Sequence, residues 1–562
     1  MVDTAPVERL QYPVVPETMN ARARAPPCAS LPNFNSMNHI KLSALTLALA
    51  SSVIAQGGNG SSADLEPSPM AINSTFTLKI SGRPAAPWSL WLSGGTAVNN
   101  FPGIGTVWLD FASPSLGELA NGNLPAGAGV TYTTLSFNVP NDPAYLGFEA
   151  YLQCIVVDPT APGGVGLSRC VRIDFENPDS FVPVGSLSGS RALGSADLLP
   201  DGRVLVAGGG SGSLTAAVGT ATCEAYNPLS RSWSAVASMA TQRAFHTSVT
   251  LSDGRIMVIG GADGTGAVTN TCEIYDPIGN AWYSVASMTT QRAAHTATLL
   301  ANGKVLVAGG CSSFTSLPGS TTPLGDILGT SKDTGEVYDP ALNTWAPVSN
   351  AMASKRFAAS ATRLNDGRVV LVSGLNGTGS LAGVEVPAWT NTVSIYSPIT
   401  NSFAAGPNIS TPRTAHRATL MPNGEVFVSG GLAPTYFLGI LLGITTSNSA
   451  VKLSSAGTAW SSAGTMPAGA LLHGQVLLKN GKVHLSGGTT VALAGTTLTT
   501  SAIANCATRL GGGTTFTSTT PLPAARGTHF AVRLFDGSIL VAGGSDAAST
   551  SLSDCLLYTP TP

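Results

Sequence analysis

Residues 291–310 read QRAAHTATLLANGKVLVAGG. An alternating segment is followed by an Asn-Gly turn at Asn302 and by a second apolar segment that ends in Gly-Gly. Alternation with period two is typical of half-buried strands, and an Asn-Gly pair between two such segments predicts a tight turn. We therefore expect an antiparallel β-hairpin at this position.

The hairpin pattern recurs along the chain at intervals of 49 to 64 residues. The first turn residue of each copy is Asp201, Asp253, Asn302, Asp366, Asn423, Asn480 or Asp536. Most copies are followed by a third strand-like segment, such as residues 272–277, and by a fourth that carries an aromatic residue. A repeat of about 50 residues with four short strands predicts an array of similar sheets.

The third and fourth strands of several repeats share a Tyr that precedes a Trp by seven residues. The pairs are Tyr226 and Trp233, Tyr275 and Trp282, and Tyr338 and Trp345. Four strands with Gly-Gly and this spacing resemble the kelch motif of β-propellers. The fifth and sixth repeats depart from it at residues 451–453 and 507–510, and are recognised by their first hairpin.

The two ends of the repeat region complement each other. The last repeat stops after its third strand, at residues 555–560, whereas residues 181–187 read as a fourth strand without the other three. Joining them completes a seventh blade and hides the edge strands of an open array. We therefore predict an all-β protein with a seven-bladed kelch-type β-propeller over residues 178–562; an open solenoid is the alternative.

The segment before the repeats follows a different pattern. Residues 74–177 contain short alternating runs separated by Gly, Pro, Asn and Asp, as in a small antiparallel β-sandwich. Residues 37–55 have the cationic start, apolar centre and small-residue end of a secretory signal peptide, and residues 56–73 read as a linker. Residues 1–36 are either a non-native leader, with translation starting at Met37, or a long unprocessed one. We expect a secreted, periplasmic or cell-surface protein.

Export permits disulfides, and seven cysteines follow the signal peptide. Cys154 and Cys170 lie in successive strand-like runs that a hairpin would bring together, so we predict a disulfide between them. The odd number leaves at least one thiol unpaired.

Composition excludes two classes of partner. The net charge is −2, and charged residues make up 10% of the chain. Nucleic acid and anionic lipid both require clustered Lys and Arg. The apolar run of the signal peptide is also shorter than the roughly 20 residues of a membrane-spanning helix. We expect a monomer without a membrane span, whose partner is a protein or a glycan.

Long second loops are the first candidates for a binding site. They occupy residues 311–335, 375–391, 432–449 and 489–501, and all of them are predicted to lie on one face of the ring. Within the third of these loops, Tyr436, Phe437 and Leu438 open an apolar segment. This segment is either an exposed patch that binds a partner or a local core folded against neighbouring loops.

A histidine recurs at the start of the first strand, and four of the five copies follow an arginine by three residues. The recurring residues are Arg243, His246, Arg292, His295, Arg413, His416, His473, Arg526 and His529. We predict that they lie on the loop-bearing face and contribute to binding. Neutral imidazoles bind Cu or Zn, but copies spaced around a ring are too far apart to share one ion, so no metal or other cofactor is predicted.

The copper-radical oxidases are similar to this chain in combining a β-sandwich with a seven-bladed kelch propeller. That resemblance implies an enzyme with two tyrosines, two histidines and a Cys joined to a Tyr. The tyrosines here belong to the repeating third strand, and no matching non-repeat pair is found, so no catalytic residue is assigned. The leading hypothesis is an exported, non-catalytic binding protein; the alternatives are a metal-dependent secreted enzyme of this kind and an adhesive surface module.

Overall fold

A computed structural model gives the architecture. It describes residues 57–58, 64–68, 75–83, 85–94, 96–101, 105–109, 116–126, 130–139, 146, 149–159, 165–167, 170–211, 218–313, 330–381, 384–437, 440–494, 497–548 and 550–561. The predicted leader and signal peptide lie outside these residues, as does Leu438. Within the described part of the chain, no helix is long and apolar enough to cross a membrane.

The N-terminal region consists of short antiparallel strands. They are β1 (Gly57–Gly58), β2 (Asp64–Pro67), β3 (Thr75–Gly82), β4 (Pro87–Ser93), β5 (Thr96–Phe101), β6 (Gly105–Leu109), β7 (Gly117–Asn123), β8 (Val130–Asn138), β9 (Glu149–Val157), β10 (Val165–Leu167) and β11 (Val171–Asp174). One sheet has the order β1-β8-β3-β2; another has the order β10-β9-β4-β7, with β11 also paired to β9. The packing of these sheets as a sandwich, and the boundaries of this region, stay predictions.

The predicted disulfide between Cys154 and Cys170 is wrong, because the register separates the two thiols. Val171 pairs with Leu152, so the next step places Cys170 opposite Gln153. Adjacent residues of a strand point to opposite faces, which puts Cys154 on the other side of the sheet from Cys170. The two residues form no disulfide, and burial raises the pKa of each thiol to about 12.

The repeat region begins with a single strand that is far in sequence from the rest of its sheet, and it continues as regular sets of four strands. The first part contains β12 (Ser180–Val184), β13 (Ser195–Leu198), β14 (Val204–Ala207), β15 (Gly210–Ser211), β16 (Val218–Gly219), β17 (Cys223–Asn227), β18 (Ser232–Val236), β19 (Thr247–Thr250), β20 (Ile256–Ile259), β21 (Cys272–Asp276), β22 (Ala281–Val285), β23 (Thr296–Leu299), β24 (Val305–Ala308), β25 (Gly335–Asp339) and β26 (Thr344–Pro347).

The second part contains β27 (Ser360–Arg363), β28 (Val369–Val372), β29 (Leu375–Leu381), β30 (Val384–Trp389), β31 (Val393–Ser397), β32 (Ser402–Ala405), β33 (Arg417–Leu420), β34 (Val426–Ser429), β35 (Leu432–Phe437), β36 (Ile440–Thr446), β37 (Ser449–Leu453), β38 (Trp460–Thr465), β39 (Gly474–Leu477), β40 (Val483–Ser486), β41 (Thr489–Ala494), β42 (Thr497–Ala502), β43 (Cys506–Arg509), β44 (Phe516–Thr519), β45 (Phe530–Arg533), β46 (Ile539–Ala542) and β47 (Cys555–Thr559).

The described residues of this region form seven four-stranded antiparallel sheets. We number them sheet I (β13-β14-β17-β18), II (β19 to β22), III (β23 to β26), IV (β27-β28-β31-β32), V (β33-β34-β37-β38), VI (β39-β40-β43-β44) and VII (β45-β46-β47-β12). The second strand of most sheets is buried on both faces, as in Val305–Ala308, because each sheet packs between two neighbours. The spacing of seven between Tyr and Trp also has a simple basis, since Tyr275 pairs directly with Trp282 across β21 and β22.

The sheets form a closed ring. Each first strand contacts the first strands of the sheets before and after it, and β13 contacts β45. Sheet VII is split as predicted, because Phe181 of β12 pairs with Tyr558 of β47. Backbone hydrogen bonds join neighbouring sheets in the same way at the closure as elsewhere in the ring. Gly209 N of sheet I donates to Arg243 O of sheet II at 2.8 Å, and Gly544 N of sheet VII donates to Arg191 O of sheet I at 3.0 Å.

The N-terminal region packs against the turn face of this ring, and the described residues after position 47 belong to one compact unit. Arg172 of β11 donates to Leu229 O at 3.0 Å. Arg231, in the turn between β17 and β18, forms ion pairs with Asp174 at 2.9 Å and with Glu176 at 3.3 Å. These contacts lie at the face that carries the hairpin turns, opposite the face that carries the second loops.

Candidate functional site

The second loops of three consecutive sheets fold as extra hairpins on the loop face. Strands β29 and β30 extend from sheet IV, β35 and β36 from sheet V, and β41 and β42 from sheet VI. A shorter pair, β15 and β16, extends from sheet I. In sheet III, residues 314–329 of the predicted loop lie outside the described residues. Long hairpins therefore stand side by side along one part of the ring.

These hairpins pack against one another. Leu375 and Trp389 are buried and contact Leu432 and Ile444 of the adjacent hairpin, together with Phe357. Strand β36 contacts β41, and Val491 N donates to Thr446 Oγ1 at 2.6 Å. The backbone of Tyr436 and Phe437 belongs to β35, with a bulge after Thr435. The three hairpins form one wall beside the central channel, which we call the hairpin wall.

The five predicted histidines lie inside the ring rather than on its surface. The buried side chains are His246, His295, His416, His473 and His529. The Nε2 atom of His295 shares a hydrogen bond of 2.8 Å with Thr247 Oγ1 of the preceding sheet, and His416 makes the same contact with Ser360 Oγ. Burial and the neighbouring Arg292 lower the pKa of His295 to about 3. At neutral pH these rings are uncharged parts of the packing between sheets.

The predicted arginines are also interior. Arg243, Arg292, Arg413 and Arg526 are fully buried. Arg243 Nη1 donates to Gly260 O at 2.8 Å and to Thr271 O at 2.9 Å, and its Nη2 pairs with Glu273 at 2.9 Å. A surface ligand therefore does not reach these guanidinium groups. Their recurrence reflects one internal bonding pattern repeated around the ring, which is a framework role instead of the predicted binding role.

The paired glycines fit closely around this interior pattern. Gly208 and Gly209 have φ angles of 58° and 93°. A Cβ atom on Gly208 would lie 2.7 Å from Arg243 O and 2.9 Å from His246 Cε1, and one on Gly209 would lie 2.7 Å from Ala192 O. Glycine is required because it alone adopts this backbone without strain and leaves room for the next sheet.

The sequence interpretation missed two arginines of the same kind. Arg191 and Arg356 donate to the carbonyl oxygens of Gly208 and Ser373, each 17 residues later. The same separation joins Arg243 to Gly260, so this spacing was the signal that would have identified them. Sheet VI departs from the pattern, because Ala470 stands at the arginine position and keeps only the backbone hydrogen bonds, in which its carbonyl accepts from Gly431 N and its N–H donates to Ser447 O.

The mouth of the channel is bounded by a ring of residues in the left-handed conformation. They precede the histidine position of each sheet and are Leu193, Phe245, Ala294, Ala358, Ala415, Leu472 and Thr528. Six backbone hydrogen bonds join neighbours among them, for example Ala415 N to Ala358 O at 2.9 Å. This ring and the hairpin wall together shape the candidate binding face.

The geometry of the ring of sheets defines a β-propeller. Three stretches, residues 195–240, 243–289 and 292–352, match the model of the kelch motif. The propeller therefore carries kelch repeats, as the sequence predicted.

Solved structures that resemble this chain include the following two. A fungal alcohol oxidase of the AA5 family, solved in complex with copper, is 20% identical over 68% of this chain and 76% of its own, with a TM-score of 0.49. The YjhT protein is 15% identical over 66% of this chain and 96% of its own, with a TM-score of 0.42. Similarity at this level gives no information about ligand or activity. No curated protein sequence matches the chain.

Within the described residues, no group of three or more His, Cys, Asp and Glu side chains is placed to hold a metal ion. The repeat tyrosines, including Tyr275 and Tyr338, are buried in their third strands.

Proposed function

We propose that this is an exported binding protein and that the hairpin face of its propeller contacts a protein or a glycan. The proposal depends chiefly on the hairpin wall. Three consecutive sheets insert a hairpin at the same point, and the hairpins pack together beside the channel mouth. Loop insertions on a rigid scaffold are where binding sites are usually built.

The position of the N-terminal region supports the same choice of face. Its described contacts with the propeller involve the turn face, through Leu229 and Arg231. Lys479, in the turn between β39 and β40, adds a hydrogen bond of 2.7 Å to Pro67 O. None of these contacts of the described residues involves the hairpin wall.

Shortening one hairpin tests the proposal. Deletion of residues 436–444 leaves Ala433 and Thr445, which already pair, to close a two-residue turn. We expect a glycan or protein that binds the intact chain in an array screen to lose affinity for this variant by about tenfold or more. The propeller should still unfold cooperatively, at a melting temperature a few degrees lower because Ile444 leaves the cluster around Trp389.

The matched control lies on the opposite face. Ile278 and Ile399 are 97% and 94% exposed in turns between third and fourth strands. Replacing both with Ser should leave binding unchanged. If the deletion variant binds as well as the parent, or if only the Ile variant loses binding, the hairpin wall is not the site.

Export has its own test, which is N-terminal sequencing of protein recovered outside the cytoplasm. A mature chain that starts near residue 56 supports export through residues 37–55. A recovered chain that retains those residues contradicts it.

A further inference from the structure

The inner strands of the propeller carry an uneven charge. The seven first strands have the sequences SADL, TSVT, TATL, SATR, RATL, GQVL and FAVR. They contain one acidic residue, Asp197 in sheet I, and three arginines, Arg363, Arg417 and Arg533. The excess of cations lies in sheets IV, V and VII.

Arg417 stands out among these arginines. It is the first residue of β33, and its side chain is solvent-exposed although the ring of sheets surrounds it. Its Nε donates to His473 O at 2.9 Å. Among the described residues, neither an acceptor nor a carboxylate lies against its Nη atoms. A planar pair of N–H donors therefore remains available on the inner strand of sheet V.

The interior of sheets IV and V also carries positive charge. In sheets I, II, III and VII the repeating arginine pairs with a carboxylate: Arg191 with Glu224, Arg243 with Glu273, Arg292 with Glu336, and Arg526 with Asp554. In sheets IV and V, Arg356 and Arg413 bond only neutral groups, such as Ser394 Oγ and Ser449 Oγ. Burial lowers the pKa of both to about 10, so they remain cationic at neutral pH.

The groups facing Arg417 from the packed strands do not offset this charge. His416, His473 and His529 lie close enough for Arg417 to contribute to the lowering of their pKa to about 3, so all three are neutral. Asp197 interacts instead with Ser195 and Ser248 on sheets I and II. The exposed guanidinium of Arg417 therefore has no counter-charge among the described residues, and an anion that enters can pair with it.

We propose that the central channel holds an oxyanion site at Arg417, which takes a carboxylate, sulfate or phosphate group. The guanidinium of Arg417 supplies two parallel N–H donors in the geometry that suits such groups. The unpaired charges of Arg356 and Arg413 strengthen the attraction, because a low-dielectric wall screens them less than water would. The site is independent of the hairpin wall, since it needs only a small ion to enter the channel.

Sodium sulfate is the probe. Thermal unfolding and titration calorimetry are compared in sodium sulfate and in sodium chloride of equal ionic strength, for the full chain and for Arg417→Gln, Arg417→Lys and Arg363→Gln. We expect saturable sulfate binding by the parent and by Arg363→Gln. Binding to Arg417→Gln should be weaker by about tenfold or more, because a charge-assisted hydrogen bond is lost. Arg417→Lys should fall between them, since it keeps the charge without the paired donors.

Arg363 is the matched control, because it is also an exposed arginine of a first strand, at the opposite end of that strand. Without sulfate, Arg417→Gln should be at least as stable as the parent, since it removes a cation that lacks a partner. Sulfate stabilises proteins in general by exclusion from their surface. An equal response of the parent and Arg417→Gln therefore overturns the proposal, as does the absence of saturable binding by the parent.

Discussion

The hydroxyl of Tyr558 donates a hydrogen bond of 2.7 Å to Asp179 Oδ1, across 379 residues of sequence. The same bond occurs within single repeats, where Tyr275 donates to Asn280 at 3.0 Å and Tyr338 to Asn343 at 2.9 Å. All three acceptors lie in the left-handed region, with φ of 55° at Asp179. Asp179 is therefore the turn residue of sheet VII, although it comes from the other end of the propeller sequence.

Substitutions at Asp179 test this closure. Asp179→Asn restores the residue of the other turns and should change the free energy of unfolding by less than about 0.5 kcal/mol. Asp179→Ala should lower it by about 2–4 kcal/mol, because a left-handed alanine is strained and the buried Tyr558 hydroxyl loses its acceptor. Urea unfolding followed by tryptophan fluorescence measures both. Equal stability of the two variants would show that the turn does not close the ring.

Arg231 occupies the matching turn position of sheet I. Its side chain binds the N-terminal region and accepts no hydrogen bond from the tyrosine of its own sheet. Its backbone is also left-handed, with φ of 51°, but its side chain pairs with Asp174 and Glu176. The Tyr226 hydroxyl consequently has no hydrogen-bond partner among the described residues. Sheet I thus lacks the hydrogen bond between tyrosine and turn residue that sheets II and III contain, and its turn forms ion pairs with the N-terminal region.

Arg231→Asn should reverse that arrangement. The asparagine gives Tyr226 an acceptor, so the propeller should unfold at the same temperature or higher, whereas proteolysis between residues 159 and 180 should become several-fold faster. Limited digestion with mass spectrometry and a thermal scan measure the two effects. Asn343→Ala is the control, because it removes the equivalent Tyr338 bond without touching the N-terminal region. Cleavage at the parent rate in Arg231→Asn would contradict the assigned role.

The positions of the strands and turns could be predicted from the sequence. The face of a strand on which a given side chain lies, and the groups that it contacts, could not. The Asn-Gly hairpins, the Tyr to Trp spacing and the split last sheet all follow from local rules on turns and strand alternation. The predicted disulfide required Cys170 to lie opposite Cys154. The strands pair one residue away from that register, so that Cys170 lies opposite Gln153. Such a shift exchanges the faces of a strand without altering the pattern of residues.

The periodicity of the sequence identified the recurring Arg and His residues, but it did not show that their side chains are buried. Their periodicity reflects position in a repeat, and a repeated position serves a framework as readily as a surface. The decisive information is the acceptor of each guanidinium, such as Gly260 O for Arg243, which depends on how neighbouring strands pack. Arg417 lies outside the repeat pattern, and its exposure depends on the ring that surrounds it.

Removing a carboxylate from a buried pair should be costly. Glu273→Leu leaves the fully buried Arg243 without an anion and removes the acceptor of Ala240 N, so we expect a loss of about 3–5 kcal/mol in the free energy of unfolding. Ser394→Ala is the matched control, because it removes only a neutral acceptor from Arg356 and should cost about 1 kcal/mol. Guanidinium chloride unfolding compares them. A smaller loss for Glu273→Leu than for Ser394→Ala would show that the charge pair does not stabilise sheet II.

The buried histidines should make the propeller sensitive to acid. Burial lowers the pKa of His246, His295, His416, His473, His484 and His529 to about 3, from an ordinary value of 6.5. The unfolded chain therefore binds protons that the folded chain excludes. Their full contribution to stability is present above pH 6.5 and is lost progressively as the pH falls toward 3, by about 1.4 kcal/mol per pH unit for each histidine. Two carboxyl groups act in the opposite direction, because burial raises the pKa of Asp197 to about 6 and also raises the pKa of Asp536.

His295→Gln isolates one of these contributions. The amide keeps a hydrogen bond to Thr247 Oγ1 but does not titrate, so the dependence of the free energy of unfolding on pH near 5 should become shallower by about 1.4 kcal/mol per pH unit. Thr247→Val is the control: it removes the same hydrogen bond and should lower stability about equally across this range, without changing the slope. Urea unfolding at a series of pH values gives both slopes. An unchanged slope in His295→Gln would mean that His295 binds a proton as readily in the folded protein as in the unfolded chain. That result would contradict its burial between sheets II and III.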